Sequence, residues 1–471
     1  MSSRRDVVVI GGGPGGLVVA SVASQLGLKV TLVEKFDRLG GDCLHSGCVP
    51  SKTLIRSARV AHLMRTAERY GLTGCRAEVD MGAVIDHVND VIADIQRHDD
   101  PERFRGYGCE VVFGAARFTG PKEIQVGEEL IQGRRFVIAT GSRAVIPPVP
   151  GLEESGYETN ETIFSRRVLP QHLAVIGSGP IGLELAQAYA RLGSRVSIVE
   201  QAGQLLPAAD ADVANCVADV LAGEGLELYT GRQVTGARRD GDSRQLQLDD
   251  DSTIECDRIL VATGRRPELH GLGLDLAGVE HDHSGITVDR RLRTSQRHIH
   301  AIGDVCGPYP FTHMAEYQAG VVLANLLFRL PRKADYRVVP VVTYTDPEIA
   351  QVGLTEKTAH AQGIRCDVAT FPMAEIDRAK TDSATPGFLK ILLNRGRIRG
   401  ASLVGAHAGE LIHELALAIQ LGAKARAVTE MVHAYPTYAQ IHRRTLNASY
   451  TKLFYARKTR FMVRLINTLL P

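Results

Sequence analysis

Two stretches of this chain carry the same pattern. Residues 6 to 35 read DVVVIGGGPGGLVVASVASQLGLKVTLVEK, and residues 173 to 201 read LAVIGSGPIGLELAQAYARLGSRVSIVEQ. Each begins as an apolar strand, passes three glycines at GxGxxG spacing, continues as a helix and ends on a second apolar strand closed by glutamate. The glycines are Gly11, Gly13 and Gly16 with Glu34 in the first copy, and Gly177, Gly179 and Gly182 with Glu200 in the second. This is the sequence of a dinucleotide-binding βαβ unit. Glycines let the backbone approach a pyrophosphate seated on the helix N-terminus, and the acid is placed to accept hydrogen bonds from a ribose. A signal or membrane segment is the competing reading, because Arg4 and Arg5 precede residues 7 to 33, where Lys29 is the only charge. The run GGGPGG at 11 to 16 argues against it.

Two units imply two dinucleotides. Glu200 suits a free pair of ribose hydroxyls and would repel a 2′-phosphate, so NADH fits the second unit better than NADPH. Arg195 is a weak candidate for a phosphate clamp, because it lies in the segment leading into the strand. The 471 residues exceed one core and suggest about three domains at roughly 150 residues each.

Cys43 and Cys48 lie in GGDCLHSGCVPSK, residues 40 to 52. Two thiols five positions apart make a poor metal site and a plausible internal disulfide. A regular helix would separate their Cα atoms by roughly 7.5 Å of rise, beyond the usual disulfide reach of about 4.4 to 6.8 Å. The link therefore needs an irregular turn, for which Gly47 supplies backbone freedom. Pro50 fits the first turn of a helix beginning near Cys48, with Lys52 one turn along on the same face. A cysteine at a helix N-terminus beside a cation favours thiolate. The alternative is a pair of unrelated core cysteines. The other six cysteines are scattered, with neither zinc-ligand spacing nor the density of a secreted disulfide framework. Cytoplasmic is the expected compartment. A net charge of +2 with no interleaved basic and aromatic tracts gives no case for nucleic acid.

With these features together, the chain resembles the class I pyridine nucleotide-disulfide oxidoreductases, the flavoprotein family of dihydrolipoamide dehydrogenase, glutathione reductase and mercuric reductase. Further landmarks are ATGSRAVIPPVPG at 139 to 151, ATGRRP at 262 to 267, AIGDV at 301 to 305 and VVTYTDPEIAQVGLTE at 341 to 356. The resemblance implies an α/β fold: two Rossmann-like dinucleotide-binding domains plus an α+β C-terminal dimerisation domain. It implies FAD in the first unit with Asp304 at the flavin's ribityl side, NAD(P)H in the second, a homodimer, and Glu184 meeting Lys52 near the flavin. His313, in FTHMAEYQA, is expected to pack by the flavin.

Strand ends followed by glycine turns at Thr140-Gly141 and Thr263-Gly264 suit a chain passing between dinucleotide domains. The expected boundaries are 1–150 and 270–335 for the FAD domain, 151–269 for the NAD(P)H domain, 336–445 for the dimerisation domain and 446–471 for a basic tail. The last domain is expected to hold strands near 338–345, 388–393 and 399–406 and a helix near 410–421. The expected chemistry runs from NADH through FAD to a Cys43–Cys48 disulfide. Cys48, nearer the flavin, is the charge-transfer thiolate, and Cys43 exchanges with a small-molecule or metal-ion acceptor. Lys52 paired with Glu184 would hold positive charge by the flavin; either residue read alone is a solvated surface charge.

The chain departs from the family at HAYPTYAQ, residues 433 to 440. Disulfide-reducing members carry there a histidine before the proline and a glutamate four residues after it, an acid–base dyad for thiol exchange contributed by the partner subunit. This chain has Tyr435 and Gln440, neither a base near neutral pH. Mercuric reductases resemble it in the tyrosine, yet bear a vicinal C-terminal cysteine pair, whereas the last cysteine here is Cys366. His45, between the two cysteines, is a candidate to tune a thiol or shuttle a proton, and a turn histidine otherwise. His433 ranks below it as a replacement base.

After Glu430 the chain has no acid, while Arg443, Arg444, Lys452, Arg457, Lys458, Arg460 and Arg464 accumulate beside a stripe of Phe461, Met462, Leu465, Ile466, Leu469 and Leu470. Such a helix lies on an anionic membrane, docks on a partner, or packs on its own dimer. Three functions remain open: an NADH-linked reductase of a small disulfide or thiophilic metal ion, a dihydrolipoamide dehydrogenase-like subunit, or a flavin-bearing redox sensor or tethered structural protein without catalysis.

Overall fold

The computed structural model describes residues 4–469; Leu470 of the expected apolar stripe lies outside them, as does the side chain of Lys452. The chain forms two compact units. The first runs to Gly177 and takes in Arg191–Arg195 and Val234–Asp335; the second comprises Ser178–Ala190, Val196–Gln233 and the chain from Tyr336 on.

In the first unit the strand Val7–Ile10 pairs in parallel with Val30–Glu34 on one side and Phe136–Ile138 on the other, and Cys109–Phe113 and Ile299–Ala301 complete a five-stranded sheet. Val7, Val8 and Val9 are fully buried, as a parallel strand covered on both faces requires. The helix Pro14–Gln25 starts with proline in its first turn, where the missing N–H costs nothing, and its buried Leu17, Val19, Ala20 and Ala23 pack on the sheet. Gly11 has φ +109°, and a Cβ there would meet the carbonyl oxygen of Ala139 at 2.3 Å. Only glycine fits that turn. Further along, Arg258–Val261 pairs in parallel with His172–Ile176, and Gly177 repeats the constraint, with φ +100° and the Ala262 oxygen at 2.5 Å from a built Cβ.

The strand Arg195–Glu200, in the second unit from its second residue on, pairs in parallel with Glu227–Thr230. An antiparallel five-stranded sheet follows in the order Val341–Thr343, Glu348–Gly353, Arg397–Gly405, Phe388–Asn394, Asp367–Pro372. The helix Ala408–Gln420 packs its buried Ile412, Leu415 and Ala416 into the same core as Leu389, Ile391 and Leu403. The expected strands and helix here are present within a few residues; Glu348–Gly353 and Asp367–Pro372 were not foreseen as strands. Lys390 is wholly buried, with Nζ 2.7 to 2.9 Å from Asp210, Asp212 and Glu356. Burial opposes its charge, but the three carboxylates prevail and drive its pKa up. The helix Gln440–Phe454 runs across the expected start of the tail, and Arg457–Leu469 follows with Phe461, Met462, Leu465, Ile466 and Leu469 exposed. Among the described residues no helix is long and apolar enough to cross a membrane.

Candidate active site

The two expected cysteines lie at the join of two helices. Gly41–His45 makes a single helical turn, Ser46 and Gly47 break it, and Cys48–Arg65 restarts at Cys48. The break bends the chain as a close thiol pair demands. The freedom expected of Gly47 has a steric cause: its φ is −126°, and a Cβ would stand 2.9 Å from the Asp42 carbonyl and 3.2 Å from Cys43 Cα. Left-handed backbone occurs instead at Gly40 and Gly41, φ +111° and +62°. Cys43 is half-buried and Cys48 exposed. The thiol of Cys43 is pushed strongly up, first by its hydrogen bond with the Cys48 side chain and then by burial. The two thiols therefore share one proton-binding environment. Cys48 occupies the first turn of an 18-residue helix, where the helix dipole favours a negative charge. Its Sγ lies 3.4 Å from Thr312 Oγ1 at the start of the helix Thr312–Leu327. Lys52 sits one turn beyond Cys48 and donates to Ser51 Oγ at 3.3 Å.

A polar mesh fixes this corner. Arg265 reaches Asp42 Oδ2 at 2.9 Å, Ser142 Oγ at 2.8 Å and the Ser142 carbonyl at 2.9 Å. Ser142 in turn donates to Asp304 Oδ2 at 2.5 Å. Asn160 donates to both Asp42 Oδ1 and the Ser46 carbonyl at 3.1 Å. Burial raises the Asp304 carboxyl, partly offset by Ser142 and Arg265. Sequence reading singled out Asp304 but missed Asp42, Ser142, Asn160, Arg265 and Thr312. Their signal was position alone: Asp42 is inside the cysteine stretch, Arg265 inside ATGRRP, and Thr312 beside His313. The His313 ring stacks on Phe311 with centroids 5.2 Å apart.

His45 is anchored through one ring nitrogen. Its Nε2 donates to the Leu39 carbonyl at 2.8 Å and its Nδ1 is buried with no hydrogen-bond partner among the described residues. Burial pulls its pKa below the ordinary imidazole value.

The two glutamates repeat one geometry. Glu34 Oε2 accepts from the Gly12 N–H at 2.6 Å and Oε1 from the Phe36 N–H at 3.0 Å. Glu200 Oε2 accepts from the Ser178 N–H and hydroxyl at 2.9 and 2.7 Å, and Oε1 from the Ala202 N–H at 2.8 Å. Each acid thus closes its own glycine turn and keeps lone pairs for a ribose. Gly13 faces Gly41 across a narrow approach, where a Cβ on Gly41 would reach Gly13 Cα at 2.7 Å. A Cβ on Gly16 would overlap the Gly11 carbonyl oxygen at 1.9 Å. At Gly179 there is open space, and Gly182 lies in the first turn of the helix Pro180–Leu192. Thr140 Oγ1 donates to the Glu268 carbonyl, while Gly141 and Gly264 turn the chain with φ +73° and +129°. Such side-chain-free cradles fit bound dinucleotides.

In the second unit, the buried Glu184 accepts from the Tyr344 N–H at 2.8 Å, tying its helix to VVTYTDPE. Tyr435 is exposed, and Gln440 opens the helix Gln440–Phe454.

A chain with two glycine-turn nucleotide folds and a cysteine pair at a helix start has the build of a nucleotide-dependent thiol–disulfide enzyme. The chain belongs to the pyridine nucleotide-disulphide oxidoreductase family: the model for that family matches residues 5–319 and the family's dimerisation domain matches 339–445. It is 32% identical to mercuric reductase from Bacillus cereus over 92% of this chain and 70% of that protein. It is 34% identical to mitochondrial dihydrolipoyl dehydrogenase from Pisum sativum over 96% of this chain and 92% of that one. Among solved structures it is similar to the Cu(II) complex of HOCl-induced flavoprotein disulfide reductase RclA from Escherichia coli, with TM-score 0.85, 28% identity, and 94% and 99% of the two chains covered. Members of this family use FAD and NAD(P)H, and the dimerisation domain makes the homodimer.

Proposed function

We propose that this chain is an FAD-dependent, NADH-linked reductase that uses Cys43 and Cys48 to reduce a thiophilic metal ion or a small disulfide, the metal ion being favoured. The observation that carries the preference is the thiol pair joined to Thr312, set against Tyr435 and Gln440 at the positions where disulfide-reducing relatives hold an acid–base dyad. The similarity to a mercuric reductase and to a flavoprotein disulfide reductase seen with Cu(II) supports it.

Gly11, Gly13, Gly16, Glu34, Thr140, Gly141, Asp304 and His313 would hold FAD, and Gly177, Gly179, Gly182, Glu200 and Gly264 the nicotinamide nucleotide. The chemistry FAD supplies when bound is a two-electron relay from nicotinamide to disulfide. Lys52 would keep positive charge beside Cys48. Cys43 would be the sulfur that meets the acceptor. The balance closes at the cysteines: NADH and one proton convert the disulfide to a dithiol. The dithiol then returns to disulfide by giving two electrons and two protons to a disulfide substrate, or two electrons to one mercuric ion or one each to two cupric ions, with release of two protons. We assign 1–150 with 270–335 to FAD, 151–269 to NADH and 336–445 to the dimer contact. A dihydrolipoamide dehydrogenase-like role is the second reading, supported by the 34% identity above.

Steady-state turnover of the purified flavoprotein with NADH against mercuric and cupric ions, lipoamide and glutathione disulfide tests the proposal. Faster reduction of the metal ions supports it. Faster reduction of lipoamide hands the function to the second reading.

A further inference from the structure

The second unit holds a cluster that the redox chemistry does not use. Glu414 lies on the helix Ala408–Gln420, His442 on Gln440–Phe454, and His433 on the segment between them in space. Glu414 Oε1 is 3.3 Å from His433 Nε2, and Glu414 Oε2 is 2.9 Å from His442 Nδ1. One donor atom from each residue falls within 4.8 Å of the others. Both imidazoles are buried, their side chains 3% and 1% exposed.

The hydrogen bonding of this cluster is incomplete. His433 Nδ1 lies 3.3 Å from the Met431 carbonyl while Nε2 faces Glu414. A neutral imidazole has one N–H, so His433 can donate to the carbonyl or to Glu414 but not to both, and its other nitrogen offers a lone pair. His442 stands close to Glu414 without the alignment of a hydrogen bond, and neither of its ring nitrogens has a hydrogen-bond partner among the described residues. Two buried ring nitrogens directed at one carboxylate form a donor set that a single cation could share.

We propose that Glu414, His433 and His442 bind a divalent metal ion of the zinc type, one per chain. Two imidazoles and one carboxylate, with a water as fourth ligand, are an established zinc donor set. Bonds of about 2.0 to 2.1 Å in a tetrahedron put neighbouring ligand atoms about 3.3 to 3.4 Å apart, close to the 3.3 Å already present at His433. His433 also has the usual outer partner of a metal-bound histidine, a backbone carbonyl on its other nitrogen. A cavity of about 450 Å³ borders the cluster at His433. The ion would brace two helices and the HAYPTYAQ segment carrying Tyr435, a structural role independent of the reading of the cysteine site.

The test uses the FAD-bound dimer in its oxidised state, stripped with chelator and titrated with zinc alone. Bound metal is read by elemental analysis, and thermal stability is followed in parallel. One zinc per chain is expected beyond any at the cysteines, with a zinc-dependent rise in Tm. Cys43→Ser/Cys48→Ser should keep this ion, while His433→Gln and Glu414→Gln, which remove direct ligands, should each weaken it by more than the about 10- to 100-fold that loss of an outer partner costs. X-ray absorption of the zinc-loaded unsubstituted protein should show nitrogen and oxygen ligands without sulfur, which decides the matter even if a variant fails to fold. Absence of saturable binding below about 10 µM, zinc retained in both His433→Gln and Glu414→Gln, or a sulfur shell would overturn the proposal.

Discussion

Cys48 Sγ and Thr312 Oγ1 lie 3.4 Å apart, joining the start of the cysteine helix to the start of a helix 264 positions later. The contact gives the exposed thiol a hydrogen-bonding neighbour at a helix start, while Cys43 is the more buried of the two. The two sulfurs therefore have separable roles. On reduction with NADH, the protein should develop a long-wavelength absorbance band from Cys48 thiolate beside oxidised flavin. Cys43→Ser should show the band before any reduction, and Cys48→Ser should lack it. The reverse pattern would exchange the roles.

Glu200 is engaged by three donors, yet its negative charge stays at the end of the second strand. A 2′-phosphate brought there meets like charge and costs a few kcal/mol in specificity, roughly 10- to 100-fold or more in kcat/KM. Comparison of NADH with NADPH measures this directly. Preference for NADPH would mean that a cation such as Arg195 outweighs the acid.

Tyr435 and Gln440 cannot take up or return the proton that disulfide exchange needs near neutral pH. Turnover of lipoamide and glutathione disulfide should lag NADH-dependent flavin reduction by about 10²- to 10⁴-fold, the usual contribution of general acid–base catalysis. Tyr435→His with Gln440→Glu should raise lipoamide reduction without changing the rate of flavin reduction. Lipoamide turnover in the unsubstituted protein equal to its flavin reduction would place the base elsewhere.

His300 is buried on the strand Ile299–Ala301, and burial, aided by Arg135 and Arg293, lowers its pKa from the ordinary 6.5 to about 4. The unfolded chain thus takes its proton first. The stability that the neutral ring contributes is fully present above pH 6.5 and declines as pH falls through 6.5 toward 4, by on the order of 3 kcal/mol. His300→Gln has no such titration, so its melting temperature should gain on that of the parent as pH drops across this window. Parallel melting curves at every pH would rule the assignment out.

The local parts of this protein were legible in its sequence because short-range sterics and periodicity fix them. Gly11 and Gly177 announce turns that no Cβ can enter, the alternating strand and helix patterns around them specify two nucleotide folds, and Cys43, Gly47 and Cys48 specify a broken helix. Only the tertiary structure brought Asp42 to Arg265, Arg265 to Ser142, and Ser142 to Asp304. Likewise it alone gathered Glu414, His433 and His442. Such groups meet because separate strands and helices pack, and the hydrogen bonds and ion pairs between residues tens or hundreds of positions apart leave no period or spacing in the chain to read.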